Sequence, residues 1–248
     1  MLFRFEGGEP ARFVEGCVVQ AARGSVDLRA APSEDAGVET QILFGETFTV
    51  YEEKNGWLWG QCALDSYVGY ARKEPFSERV EASTHRVSAL ATPRLSAPDV
   101  KKPSRGMLPL NAKLAVADIA GRYVRLASGD FVFAGHLAAM SARAGDWVGV
   151  AERFEGVPYL WGGKTVAGLD CSGLIQTALE AAGIASPRDT DMMETSLGVA
   201  LPFDAPLQRG DLVFWPRHVG AMLDGARFIH ANAHFMAVTI ESLADARA

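Results

Sequence analysis

Two stretches of this chain, about residues 16–75 and 84–139, echo one another. SVDLRAAPS is followed later by RVSALATPR, FTVYEEKNGWLWG by LAVADIAGRYVRL, and YVGYA by FAGHLA. Aligning Val50 with Val116 and Gly69 with Gly135 gives the same offset, 66 residues. A constant offset over such different residues marks a duplicated unit. Each unit is made of short β-rich runs broken by turn signals: ILFGETFTVYEE, the pair Asn55-Gly56, WLWGQCAL and YVGYA. Nothing there has a helical period. Two small all-β barrels are therefore expected, over 1–78 and 79–143, with EPFSERVEAST as the linker.

After Gly145 the texture changes. In DWVGVAERFEG, residues Trp147, Val150, Ala151 and Phe154 share one helical face, with Asp146 as N-cap and Gly156 as stop. CSGLIQTALEAAG repeats the design, and Gly183 ends it. The runs DLVFW, HVGAML, RFIHA and AVTI then read as strands. Helices followed by antiparallel strands make an α+β domain over 144–248.

A net charge of −6 argues against phosphate backbones or anionic lipid as main partners, so neither nucleic acid nor membrane is expected. Met1 to Gln20 lacks the apolar run of a secretory leader, which predicts a cytoplasmic protein. If the true start lies upstream, the place becomes periplasmic or extracellular. Three cysteines are too few for a disulfide framework, and Cys17 and Cys62 read as small buried hydrophobes.

Cys171 is different. It follows Asp170 at the start of a helix, where unpaired N–H groups favour a negative charge and Asp170 can cap the turn. A thiol with an ordinary pKa of about 8.5 is hardly ionised at neutral pH, so such help matters. A thiolate also needs an imidazole, and the imidazole needs a polar group to fix its tautomer. His218 opens HVGAML and His230 lies in RFIHA, which alternation places on neighbouring strands. Cys171, His218 and His230 can fill the three roles. The spacing also admits a buried structural cysteine with two surface histidines.

The motifs, taken in order, add to this. YLWGG, LDCSGLI, PRDTDMM, GDLVFW, HVGAML and FIHA make residues 146–240 resemble the NlpC-type cell-wall cysteine peptidases, a papain-like superfamily. The resemblance implies Cys171 as nucleophile, His218 as base and His230 as the orienting residue. It also implies Tyr159 as an oxyanion donor beside the Cys171 backbone N–H, a contribution typically worth about 3 kcal/mol. The competing reading of Tyr159 is an aromatic packed under the Gly162-Gly163 turn. His230 and His234 have zinc-like spacing, but HANAH lacks the Glu of HExxH and reads as strand. No metal and no cofactor are expected. Asp211 is read as holding a turn, and Arg188, Asp189 and Asp191 as bracing the loop beside the cleft.

The β-units resemble bacterial SH3-like modules. Such a pair ahead of this catalytic domain implies a γ-D-glutamyl-L-diamino acid endopeptidase that cuts murein stem peptides with a free N-terminal L-alanine. The expected substrate contacts are Asp170 and Ser172 to the ammonium, Tyr67 closing that end of the cleft, and Arg188 and Trp161. Phe133 is taken as the counterpart of Tyr67 in the second copy. The alternatives are an endopeptidase or amidase on intact peptidoglycan, and a non-catalytic wall-binding protein. The sequence leaves open whether the diamino acid is meso-diaminopimelate or lysine.

Overall fold

The computed structural model describes residues 14–202 and 204–246, so most of the stretch read for a leader lies outside the described residues. The first β-unit holds β1 (Cys17–Ala21), β2 (Ser25–Arg29), β3 (Val38–Leu43), β4 (Thr47–Lys54), β5 (Trp57–Cys62), β6 (Val68–Arg72) and β7 (Phe76–Ser77). They form one sheet in the order β3-β2-β6-β5-β4-β1-β7, wrapped around Leu28, Ile42, Phe48 and Leu58. Asn55 and Gly56 both have positive φ, 52° and 77°. That twist suits a two-residue hairpin and joins β4 tightly to β5.

The second β-unit comprises β8 (His85–Val87), β9 (Ala91–Leu95), β10 (Ser104–Pro109), β11 (Lys113–Leu114), β12 (Val116–Ala120), β13 (Tyr123–Leu126), β14 (Phe131–Phe133) and β15 (Leu137–Ala139). Its two small sheets enclose a separate core of Val87, Leu108, Leu114, Val124 and Val132.

The duplication is visible in the registers. Val50 faces Gly60 and Val116 faces Leu126, and both ladders slip at the next step. The offset of 66 thus holds through both central hairpins. It does not survive the next turn. Gly69 pairs with Gly60 inside β6, whereas Gly135 sits in a 3-10 turn. Trp57 faces Arg72 and Tyr123 faces Phe133, so the counterpart of Phe133 is Arg72, not Tyr67. A shorter connection after β13 removes the residues that would have kept the copies in step. The linker is also shorter than expected, because Phe76 and Ser77 pair with β1 and close the first unit. Cys62 is buried as expected, but Cys17 is exposed at the start of β1.

The remainder holds α1 (Trp147–Glu152), a short hairpin of β16 (Lys164–Thr165) and β17 (Gly168–Leu169), α2 (Cys171–Ala181) and α3 (Thr190–Ser196). The strands β18 (Leu212–Trp215), β19 (His218–Met222), β20 (Arg227–Asn232) and β21 (Ala237–Ser242) follow, then α4 (Leu243–Ala246). The four strands make an antiparallel sheet in sequence order. Helix α2 lies on it, with ten of its residues buried on all sides, Leu174, Ile175 and Ala178 among them. Asp146 stands at the N-cap of α1 as expected, but its carboxylate is turned to Arg209 at 2.8 Å instead of capping.

Both β-units grip this helix. From the second, Arg86 donates to the Ala181 carbonyl at 2.8 Å, a cation at a helix C-terminus, and Asn111 donates to the Thr177 carbonyl at 2.9 Å. From the first, Asp65 accepts from Gln176 at 2.9 Å and Gln41 accepts from the Lys164 N–H at 3.0 Å. Lys113 binds Glu46 at 2.9 Å and Glu180 at 3.2 Å, tying all three parts together. Gly162 (φ 77°) passes so close to β3 that a Cβ there would lie 2.7 Å from the Val38 carbonyl oxygen.

Candidate active site

Cys171 occupies the first position of α2. Asp170, in extended backbone, caps the helix by accepting from the Gly173 N–H at 2.7 Å. Its other oxygen accepts from the Gly162 N–H at 2.8 Å and from Arg188 Nη2 at 2.6 Å. Arg188 also donates to Ser172 Oγ at 2.6 Å and to Thr40 Oγ1 of β3 at 2.9 Å. Asp170, Ser172 and Arg188 are all buried. Arg188 braces the loop beside the cleft, and the polar groups of Asp170 and Ser172 are largely engaged by it, although all three residues also line the cavity above Cys171. Buried charge must be paired, and here the pair fixes the turn that carries the nucleophile.

The Cys171 sulfur lies 3.9 Å from Thr190 Oγ1. Burial pushes its thiol pKa up, and the charge of Asp170 adds to this, while backbone and Thr190 hydrogen bonds pull the other way. A helix N-terminus therefore does not by itself make this sulfur anionic. Desolvation outweighs it.

His218 and His230 stand on the adjacent strands β19 and β20, as the alternation predicted, with His218 Nε2 2.7 Å from His230 Nδ1. His230 Nε2 in turn binds Glu241 Oε1 of β21, and Asn232 Nδ2 approaches the same nitrogen at 3.0 Å. Burial, then the neighbouring His230, holds the His218 pKa down to about 4, against the pull of Glu241. Burial likewise lowers His230. Helix α2 packs on β19, and among the described residues no hydrogen bond joins the sulfur to the His218 imidazole. Such contacts are commonly long without substrate and tighten in the complex.

Tyr159, between the Met236 carbonyl and the Cys171 turn, keeps its proton. Burial, then the nearby charges of Cys171 and Asp170, push its pKa up to about 12.

A cavity of about 260 Å³ opens above Cys171. Trp161, 60% exposed, forms part of its wall. Glu39, Asp189 and Asp191 also face it, and none of the three has a salt-bridge partner among the described residues. Tyr67 of the first β-unit meets two of these carboxylates, its hydroxyl 3.4 Å from Asp189 Oδ1 and 3.5 Å from Glu39 Oε2. Burial, then Asp189 and Glu39, raises the Tyr67 pKa, and burial raises that of Asp189. Arg217, exposed and with φ 64°, is at the rim beside His218. His234 packs edge-to-face against Phe235 in the β20–β21 turn. Asp211 does hold a turn, accepting from the Gln208 N–H at 2.8 Å.

Sequence reasoning did not find Glu39, Glu241 or Asn232. The first enters the cavity only because β3 docks against the catalytic part. The other two depend on the β20–β21 register, which sets Glu241 opposite Phe228 and Thr239 opposite His230.

A cysteine at a helix mouth, a histidine pair on the facing sheet and a tyrosine beside the sulfur define a cysteine hydrolase site. The family models agree. Residues 156–247 match that of the NlpC/P60 family, and residues 28–74 match that of the bacterial dipeptidyl-peptidase Sh3 domain. The chain thus carries an NlpC/P60 domain behind a bacterial dipeptidyl-peptidase Sh3 domain, and is a cysteine peptidase. It is 26% identical to dipeptidyl-peptidase 6 of Lysinibacillus sphaericus over 88% of each chain. It is also 26% identical to the gamma-D-glutamyl-L-lysine dipeptidyl-peptidase of Bacillus subtilis (strain 168), over 90% of this chain and 82% of that one. The crystal structure of an NlpC/P60 family protein from Bacillus cereus superposes with a TM-score of 0.79 at 20% identity, covering 91% of this chain and 94% of the other, which shows the shared fold.

Proposed function

We propose that this peptidase cuts the γ-D-glutamyl-L-diamino acid bond of short murein peptides whose first residue, L-alanine, has a free amine. One observation carries the reading. The cavity over Cys171 is lined by the carboxylates Glu39, Asp189 and Asp191, which have no salt-bridge partner among the described residues, and Tyr67 of the first β-unit meets two of them through its hydroxyl. Such a pocket favours an ammonium and disfavours an acylated nitrogen, which brings bulk and no charge. The rim carries the opposite charge in Arg217, where a leaving diamino acid would present its carboxylate. The relative from Bacillus subtilis is named for this kind of bond.

In this reading the β-units, 1–78 and 79–143, are SH3-like barrels, and 144–248 is a papain-like domain. Each β-unit has its own core, which supports the division. Because sulfur and imidazole are both neutral at rest, His218 acts as general base at the moment of attack. It takes the Cys171 proton as sulfur bonds to the γ-carbonyl carbon of D-glutamate. The Cys171 backbone N–H and Tyr159 Oη–H receive the oxyanion. His218 then protonates the amine of the diamino acid, which leaves. Water, deprotonated by the same imidazole, releases L-Ala-γ-D-Glu from the thioester. Peptides with a free alanine amine arise after the sugar has been removed, which suits a recycling step in the cytoplasm.

Mass spectrometry of products from L-Ala-γ-D-Glu-meso-diaminopimelate, with and without N-acetylation of the alanine, tests the proposal. Acetylation is expected to lower kcat/KM by about 10- to 100-fold, the cost of leaving charged groups without their hydrogen bonds. Equal rates would remove the free-amine reading. Digestion of intact sacculi as fast as free tripeptide would favour an endopeptidase of polymeric wall.

A further inference from the structure

The line from His218 to His230 does not stop at the second imidazole. A neutral imidazole has one N–H and one lone pair, and two such rings in contact can be arranged in two ways. In one, His218 donates from Nε2 and keeps a lone pair on Nδ1. In the other, His230 donates from Nδ1, and His218 must carry its own proton on Nδ1, where it is useless as a base. Two neutral histidines alone do not choose between these.

We propose that Glu241 makes the choice, and is a positioning residue that holds His218 in the Nδ1-unprotonated form. A carboxylate only accepts, so contact with Glu241 Oε1 requires a proton on His230 Nε2. His230 Nδ1 is then the lone pair that receives His218 Nε2–H across 2.7 Å. His218 Nδ1 is left bare. A rival sits beside the line: Asn232 Nδ2, 3.0 Å from His230 Nε2. The amide is oriented, because its oxygen accepts from the Phe235 N–H at 2.8 Å and its nitrogen donates to Thr239 Oγ1 at 2.7 Å. Asn232 therefore presents a donor, which would impose the reversed arrangement. The charge-assisted bond to Glu241 is the stronger of the two and prevails. Glu241 is partly exposed, 22% for its side chain, so it can be replaced without opening the core.

Among the described residues, the charged group that acts on the pair is Glu241 of β21, and Arg217 precedes His218 in the β18–β19 turn. This inference uses the peptidase reading only for its kinetic arm. Long-range 15N–1H spectra of the histidines test it without any substrate. Wild type is expected to show Nε2–H tautomers for both His218 and His230. Glu241→Ala is expected to move both toward Nδ1–H, as Asn232 takes over the vacated nitrogen. In kinetics, Glu241→Ala should lower kcat by about 100-fold or more, with KM nearly unchanged, since a mis-protonated base forfeits most general-base assistance. Glu241→Gln keeps an acceptor but not the charge. It should lose about tenfold, with the acid limb of its pH profile moved to lower pH. Asn232→Asp placed in the Glu241→Ala background supplies a new acceptor to His230 Nε2 and is expected to restore activity by about tenfold. Unchanged tautomers in Glu241→Ala would overturn the proposal, as would no rescue by Asn232→Asp. A wild-type enzyme inert toward every murein peptide but showing the expected tautomers would instead count against the peptidase substrate alone.

Discussion

Replacing Asp170 by Asn separates a structural role from a substrate role at the same atom. Asparagine keeps an oxygen for the Gly173 N–H, so the helix cap survives. The second oxygen becomes an NH2 group facing two donors, the Gly162 N–H at 2.8 Å and Arg188 Nη2 at 2.6 Å. Arg188 is 2% exposed and cannot reach water for compensation. Breaking one side of a buried pair in this way costs about 3–5 kcal/mol, a large share of the roughly 5–15 kcal/mol that holds a domain folded. Arg188→Met leaves Asp170 with its backbone donors, so its cost falls below that range, at about 2–3 kcal/mol. In the double variant no charge is stranded. Its destabilisation should fall short of the summed singles by about 2 kcal/mol. Urea unfolding followed by tryptophan fluorescence, with the m-value checked for constancy, measures all four proteins. If Asp170 instead served the substrate ammonium, Asp170→Asn would raise KM and leave the urea midpoint within about 0.5 kcal/mol of wild type, with no coupling to Arg188. That outcome would refute the internal-brace assignment.

Three further outcomes are expected. Burial holds the His218 pKa at about 4, and the base must be neutral, so kcat/KM should fall only as pH drops through that value. Folding stability should also decline as pH falls from about 6.5 toward 4, because the unfolded chain binds that proton more tightly. A pH–rate profile with its acid midpoint above 6 would contradict this. Tyr67→Phe removes the hydroxyl shared by Asp189 and Glu39 and should lower kcat/KM on free tripeptide about tenfold, with almost no effect on the N-acetylated peptide. Gly162→Ala combines φ 77° with a Cβ contact at 2.7 Å to the Val38 carbonyl oxygen, so it should cost more than about 1 kcal/mol in urea unfolding and loosen the first β-unit toward proteases. Gly121→Ala, at φ 64° with open space around it, is the control that carries backbone strain alone.

Much of this arrangement was legible in the chain itself. Alternation around His218 and His230 placed them on neighbouring strands, and the Asp170-Cys171 step marked the start of α2. The short helix α3 was not seen as a helix, because seven residues with one buried methionine give no apolar stripe. The state of the sulfur was misjudged for a different reason. Sequence shows where a helix begins, but not how deeply that end is desolvated. The hydroxyl of Tyr67 meets Asp189 and Glu39, whereas its match to Phe133 failed, since the constant offset ended at a turn of different length. Glu39 and Glu241 carried no local signal at all. Each acquires its place through a contact set by docking or by strand register, and neither is written in spacing.

The cleft wall at Glu39 and Tyr67 and the cutting group at Cys171 stand on different units, joined through Thr40, Gln41 and Asp65. The cavity wall and the nucleophile are thus written in separable segments of the gene. A change in the leading segment can reshape that wall while the helix that bears the cysteine is inherited whole. The same joint ties the two together physically, so a new leading segment must also reproduce its handholds on the helix that bears the nucleophile.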